Sequence, residues 1–208
     1  MNLSELGTLV TCTRDDQDQW CTEEKAHTLA GLVAVLRPEL VVEIGVWRGA
    51  SLLPMLIAMR HVNHGSAIAI DPWSQAASAA GEAPENAAWW GKVDHETAYR
   101  DFLARCERAG VVGRVAVWRK PSDECTPPAR IDLLHVDGNH SDQAVRDVER
   151  FAPFVRTGGI LVMDDVHWVG GHVSRALEIA VAMGFRELYA LGTGCVMVQD
   201  REWKADHA

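Results

Sequence analysis

The sequence predicts an α/β fold: a doubly wound sheet, mostly parallel, with helices on both faces and an antiparallel hairpin at its C-terminal end. Three observations carry this. Short apolar runs alternate with amphipathic helical patterns along most of the chain, which implies parallel strands joined by right-handed crossovers. The last two strand patterns instead flank Gly192-Thr193-Gly194, a hairpin connection, so one of them runs against the rest. The chain has 208 residues with no internal repeat and no low-complexity linker, and it reads as one domain spanning 1–208.

In order, residues 1–38 are expected as an N-terminal helical cap. It holds a helix from about Thr22 to Leu36, with Thr22 as N-cap and Glu23 and Glu24 in the first turn, where the helix dipole favours negative charge. Leu40 to Ile44 is a buried-strand pattern closed by Gly45. Ala50 to Arg60 follows as a helix, with Ser51 near its start and Pro54 tolerated in the first turn. Ala67 to Asp71 is a second strand, stopped by Pro72. Residues 74–95, with Pro84 and the Trp89-Trp90 pair, interrupt the alternation and are expected as a lid insertion. Then come a helix from about Glu96 to Ala109, a strand from Arg114 to Arg119, a strand from Ile131 to Asp137 and a helix from Ser141 to Val155. Gly159 to Asp165 is a fifth strand and His172 to about Met183 a helix, before the hairpin strands Phe185 to Leu191 and Cys195 to Gln199.

Charge and cysteines narrow the function classes. There are 29 acidic residues against 20 Lys and Arg, a net charge of −9, so no nucleic-acid or anionic-membrane partner is expected. The five cysteines are scattered without a C-x-x-C pair, which predicts buried thiols in a reducing, cytoplasmic compartment. The start MNLSELGTLV has no basic stretch before a long apolar run, so no signal peptide is expected. Apolar stretches such as Leu52 to Met59 are too short to span a bilayer. A homo-oligomer is left open.

Ligands of open α/β sheets bind outside the carboxyl ends of the strands. The first such end reads Glu43-Ile44-Gly45-Val46-Trp47-Arg48-Gly49-Ala50-Ser51, where Gly45 and Gly49 permit a tight turn and a close approach of backbone to ligand. It lacks the G-x-G-x-x-G of a pyrophosphate cradle. An acid beside a sparser glycine loop suits a cofactor without phosphates that carries positive charge, and S-adenosylmethionine (SAM) has both an ammonium and a sulfonium. Asp71, at the next strand end, can accept two hydrogen bonds from a ribose diol. Lys120-Pro121-Ser122-Asp123 follows the third strand, near the expected adenine edge, and Trp47 and Trp73 are expected to line the cofactor. The plainer alternative makes Glu43, Asp71 and Asp123 ordinary strand-end polar groups; their recurrence at successive strand ends favours a site.

These residues resemble the class I SAM-dependent methyltransferases, and within them the metal-dependent small-molecule O-methyltransferase branch of catechol-type and macrolide-sugar enzymes (methyltransferase domain 24-like). The likeness runs from about Leu29 to Gln199; V-V-E-I-G-V-W-R-G-A-S resembles the family's first motif and A-I-D-P-W its acidic second one. The resemblance implies a Rossmann-like seven-stranded sheet with the last strand antiparallel. It implies Glu43, Gly45, Trp47 and Ser51 around the methionine moiety, Asp71 on the ribose, and Ser122 and Asp123 near adenine.

A second constellation is His135-Val136-Asp137-Gly138-Asn139-His140 with Met163-Asp164-Asp165-Val166-His167, at the ends of strands expected as neighbours. Asp137, Asp164 and Asp165 would converge, and three adjacent carboxylates repel unless a cation neutralises them. Hard oxygen ligands suit Mg²⁺ or another divalent cation, so these three are the expected metal ligands. The alternative is that Asp164-Asp165 merely caps a strand and the following helix. The catalytic candidates are Asp137, His140 and His167. His140, where the resemblance implies a catalytic lysine in catechol-type enzymes, is expected as the base, the alternative being a helix cap. His61, His64, His95 and His207 read as solvated and His135 as facing the sheet interior.

The expected reaction is methyl transfer to a hydroxyl of a small molecule, a sugar or a catechol or diol of a natural product, with Trp20, Trp89, Trp90 and Trp168 about the acceptor. Two rivals are kept. One is a nucleotide-dependent oxidoreductase or hydroxylase-associated enzyme on the same fold. The other is a non-catalytic SAM-binding protein.

Overall fold

The computed structural model describes residues 2–15 and 20–200. Helices α1 (Leu3–Thr13) and α2 (Glu23–Leu36) precede β1 (Leu40–Ile44), α3 (Leu52–Val62) and β2 (Ser66–Ile70). The insertion forms α4 (Gln75–Ala79) and α5 (Pro84–Trp90), after which come α6 (His95–Arg108), β3 (Val115–Trp118) and β4 (Ile131–Val136). The chain continues through α7 (Asp142–Phe151), β5 (Val155–Met163), α8 (His172–Ala182), β6 (Phe185–Leu191) and β7 (Gly194–Gln199).

The strands form one seven-stranded sheet in the order β3-β2-β1-β4-β5-β7-β6. β7 pairs antiparallel with β5 and with β6, and every other pairing is parallel. The chain winds outward from β1 to β3, then returns to lay β4 on the other side of β1. The crevice between β1 and β4 is therefore the topological switch point, where such sheets bind ligands.

Alternation along the strands sorts side chains to two apolar layers. Val41, Ala67, Ala69, Leu133 and Val162 pack with α1, α2, α3 and α6. Val42, Ile44, Ile70, Leu134, Leu161 and Met163 pack with α7 and α8. Leu52 through Met59 of α3 are all buried, because α1 and α2 cover its outer side. The caps come from the sequence as expected: Thr22 Oγ1 accepts from Lys25 N at 3.1 Å and so fixes the start of α2.

Two boundaries move. The helix after β4 stops at Phe151 rather than Val155, because Pro153 lacks a backbone N–H; Ala152–Phe154 form a single 3₁₀ turn. β5 consequently starts at Val155, earlier than the expected Gly159. All five cysteines are thiols, four of them buried. Among the described residues, no helix is long and apolar enough to cross a membrane.

Candidate active site

The loops after β1 and β4 touch, and Gly45 permits it. Its φ is +86°, and a Cβ there would sit 2.1 Å from the Asp137 carbonyl oxygen. Asp137 N donates to Ile44 O at 2.9 Å across the same contact. Gly49 has a different reason: at φ +77°, a Cβ would lie 2.5 Å from the Phe102 ring of α6. It makes room for the core and does not border the cavity described next, contrary to its expected place beside the cofactor.

A cavity of about 730 Å³ opens at the carboxyl ends of the strands. At one end lie Gly45, Trp47, Ser51, Asp71 and Ser122, all expected there. Asp71 is buried, accepting from Trp47 N at 2.9 Å through Oδ2 and from Trp73 N at 2.6 Å through Oδ1. Burial raises its pKa, and hydrogen bonds from the amides of Trp47, Trp73 and Val46 oppose the shift. They also hold Trp47 and Trp73 at φ +49° and +42°, a region bulky residues rarely occupy. The carboxylate borders the cavity, where a ligand hydroxyl can meet it.

Three expected cofactor contacts stand back from the cavity. Glu43 is fully buried beneath the loop, its oxygens taken by Ser51 Oγ at 2.8 Å and His135 Nδ1 at 3.0 Å. Fully buried and absent from the cavity wall, it supports the loop instead of facing a ligand. Trp73 is buried against Tyr99 and Phe102, and its indole N–H donates to Trp47 O at 2.8 Å. Asp123 is exposed and pairs with Arg146 at 3.3 Å. The acid beside Ser122 in the cavity is instead Asp147 of α7, which accepts from Ser122 Oγ at 2.5 Å and Gln143 Nε2 at 2.8 Å. Burial pushes its carboxyl up to about 6. Sequence reading passed over Asp147 because it sits in a helix rich in charges on the exposed side. Its signal was the helical period, three and four residues from the apolar Ala144 and Phe151.

At the other end, Asp137, Asp164 and Asp165 converge as expected, with carboxylate oxygens within 4.8 Å of one another. Their neighbour was not expected. Lys25 of α2, 4% exposed, places Nζ 3.0 Å from Asp137 Oδ2 and in contact with Asp164 Oδ2. Burial alone would push the ammonium pKa down, but Asp137 and Asp164 hold it well above its usual value. In return Lys25 overcomes the effect of burial on Asp164 and keeps that carboxyl low. Burial dominates at Asp137 and raises it to about 6.

This decides whether the donor set fits a divalent ion. An ion would have to take Asp137 Oδ2 and Asp164 Oδ2, the two oxygens that the ammonium already holds, and at roughly 2.1 Å from the first it would lie within about 5 Å of Nζ, whose repulsion offsets part of the carboxylates' attraction. The residues do not fit Mg²⁺ while Lys25 is in place. The expectation of a metal rested on three carboxylates lacking a cation, and the fold supplies one.

His140 points its Nε2 at Asp165 Oδ2, 3.1 Å away. Its ring stacks on Trp168, with centroids 4.3 Å apart and planes at 28°. Nδ1 is buried with no hydrogen-bond partner among the described residues. Burial would lower the pKa of this imidazole, but the bond to Asp165 prevails and raises it. The helix cap is Ser141, whose hydroxyl accepts from Gln143 N, so His140 is free of that duty. Asp165 itself sits at φ +49°, a strained conformation held at the site. His167 is exposed and does not border the cavity, because the turn after Asp165 carries it outward.

The insertion closes the remaining side. Asn139 Nδ2 donates to Ser78 O and Ala80 O, and the His140 amide donates to Glu82 Oε1 at 2.7 Å. Trp89 and Trp90 meet Trp20 with centroids 5.1 and 6.0 Å away, and Trp90 meets Trp47 at 5.2 Å. His95, expected on the surface, is buried against Trp47 and Trp90. His135 is buried as expected, His61 and His64 are half-buried, and His207 lies outside the described residues.

A sheet of this order with a ligand cavity at the β1/β4 switch point defines a Rossmann-like methyltransferase fold. Residues 42–166 match the model of a methyltransferase-domain family, and the chain belongs to that family. Among solved structures, the S-adenosylhomocysteine (SAH)-bound methyltransferase PaMTH1 of Podospora anserina is 16% identical, with TM-score 0.63 over 97% of this chain and 87% of that one. The O-methyltransferase TomG of Streptomyces achromogenes, involved in tomaymycin synthesis and solved with SAM, is 14% identical, with TM-score 0.62 over 96% and 89%. The O-methyltransferase NovP is 16% identical, with TM-score 0.65 over 87% and 83%. At such identities the likeness establishes the fold. No curated protein matches the chain.

Proposed function

We propose that this protein is a SAM-dependent O-methyltransferase acting on a hydroxyl of a small ring compound, a sugar or a catechol or diol of a natural product. The observation that carries the reading is one continuous cavity running from Asp71 to the half-buried His140–Asp165 pair. Asp71 presents a buried carboxylate for the ribose diol, and Ser122 and Asp147 present polar edges for adenine. The glycine loop supports SAM over a dinucleotide, since Gly49 is spent on Phe102 and no phosphate cradle is left.

Bound SAM supplies an electrophilic methyl; transfer breaks its S–C bond, forms an O–C bond on the acceptor and leaves SAH. His140 Nδ1 accepts the proton leaving the acceptor hydroxyl. Asp165 holds the opposite ring nitrogen, fixes the tautomer and stabilises the imidazolium that results. The stack on Trp168 fixes the ring plane. Trp20, Trp89 and Trp90 offer flat faces to an aromatic or sugar ring, with residues 74–95 acting as the lid. The reaction is an in-line displacement, so alignment of donor and acceptor contributes much of the acceleration. The unpaired thiols fit the cytoplasm, where we place the protein.

The test is calorimetric titration with SAH, followed by transfer of a labelled methyl from SAM across a panel of catechols, sugars and diols. Saturable SAH binding and transfer to an oxygen acceptor are expected. Absence of SAH binding, or transfer to nitrogen or carbon only, overturns the reading.

A further inference from the structure

We propose that the ammonium of Lys25 is the resident cation of the Asp137–Asp164–Asp165 cluster and takes the place of a divalent metal, so methyl transfer by this chain needs no metal ion. Lys25 reaches the cluster as a built part of the fold. It is the third residue of α2, its backbone N–H held by Thr22 Oγ1 at 3.1 Å. Arg14 anchors the turn before that helix, donating to Cys21 O at 2.6 Å and Thr22 O at 3.3 Å. From that fixed origin the side chain runs inward, 4% exposed, to Asp137 Oδ2 at 3.0 Å and to Asp164 Oδ2.

The partners match in number as well as in place. Lys25 faces Asp137 and Asp164, while Asp165 faces His140, so each of the three acids has a cationic or protonatable partner without an ion. A lysine ammonium left unpaired at this depth would be costly, and so would the two carboxylates without it. Lys25 is therefore a positioning residue. It holds Asp137 and Asp164 at the floor of the acceptor end of the cavity, and it keeps one N–H donor beyond the two they use. A tethered ammonium among these carboxylates also opposes the binding of a second cation by repulsion.

This inference rests on the methyltransferase reading for its meaning, but its main measurement does not depend on methyl transfer. The full chain is freed of metal with EDTA and titrated with Mn²⁺, bound ion being counted by electron paramagnetic resonance. The same titration is run on Lys25→Met and Lys25→Arg. Wild type and Lys25→Arg are expected to bind no Mn²⁺ in the low-millimolar range. Lys25→Met, with the repulsion gone, is expected to gain at least about tenfold in affinity. A purely structural lysine would not produce that gain. Once an acceptor is found, turnover of wild type is expected to be the same in EDTA and after Mg²⁺ addition.

Mn²⁺ binding by wild type, or loss of turnover in EDTA restored by Mg²⁺, overturns the proposal. So does a folded Lys25→Met that binds no more Mn²⁺ than wild type. Should Lys25→Met fail to fold, the wild-type and Lys25→Arg titrations decide alone. A protein that excludes Mn²⁺ but binds no SAH refutes the methyltransferase function and leaves the assignment of the cation intact.

Discussion

Replacing Gly45 by alanine tests whether the β1 and β4 loops are in the contact described. The new Cβ would lie 2.1 Å from Asp137 O, 2.5 Å from Asp137 C and 2.6 Å from Gly138 Cα. All three are backbone atoms of one loop, so no side chain can swing away. Ordinary contact starts at 3.4 Å, so the loops must part by about 1.3 Å. Placing an L-residue at φ +86° adds roughly 1–2 kcal/mol of backbone strain. Overpacking between fixed elements adds about 1–3 kcal/mol. The sum, about 2–5 kcal/mol, is a large share of a typical total stability of roughly 5–15 kcal/mol. Urea denaturation reads it directly: with a slope near 2 kcal/mol per molar, the midpoint falls by about 1–2.5 M. Gly31→Ala is the control, because it lies within α2 with nothing within 4 Å of the added Cβ. It should stabilise by up to about 1 kcal/mol through helix propensity. A Gly45→Ala protein within about 0.5 kcal/mol of wild type, still binding SAH normally, would refute the contact and the reasoning built on it.

Three further outcomes are expected. Asp147, raised from 3.8 to about 6, holds in the fold a proton that the unfolded chain releases, so its contribution to stability falls as pH rises from about 4 through about 6, by roughly 3 kcal/mol. Asp147→Asn removes that term, and urea denaturation at pH 4 and pH 7.5 should show the variant gaining on wild type at the higher pH; parallel behaviour would contradict it. His140→Ala should lower kcat by about 10²–10⁴ with SAH affinity unchanged, measured by steady-state kinetics and calorimetry; unaltered kcat removes His140 as the base. Asp71→Ala leaves the amides of Trp47 and Trp73 unsatisfied and should cost roughly 2–6 kcal/mol as well as SAH affinity, whereas Asp71→Asn, keeping one acceptor oxygen, should fall between.

Much of the site was legible because strand ends are local signals. Leu40–Ile44 and Ile131–Val136 are apolar runs that stop at polar residues, and the sheet's polarity sends those residues to one edge. Gly45, Asp71, Ser122, Asp137, His140 and the Asp164-Asp165 pair were expected at that edge for this reason, and they border the cavity. Glu43, Gly49, Trp73 and Asp123 were misplaced for a related reason. Being near a strand end does not say whether a side chain points up into the cavity or down into the core. Phe102 claims the space at Gly49, and His135 with Ser51 claims both oxygens of Glu43.

Periodicity and turn chemistry are properties of neighbouring residues, so the sequence by itself determined the layer order, the antiparallel hairpin and the convergence of three acids at one edge. Charge balance within the site is a property of contacts between distant residues, and only the tertiary structure decided it. Lys25 stands 112 positions from Asp137 and 139 from Asp164, in the first turn of α2, where the helical period sets it on the same buried face as Leu29 and Val33. No local signal marks it as the cation of that cluster. It becomes one because α2 packs against α3 over the sheet, which carries its first turn to the switch point and sets the ammonium against those two carboxylates.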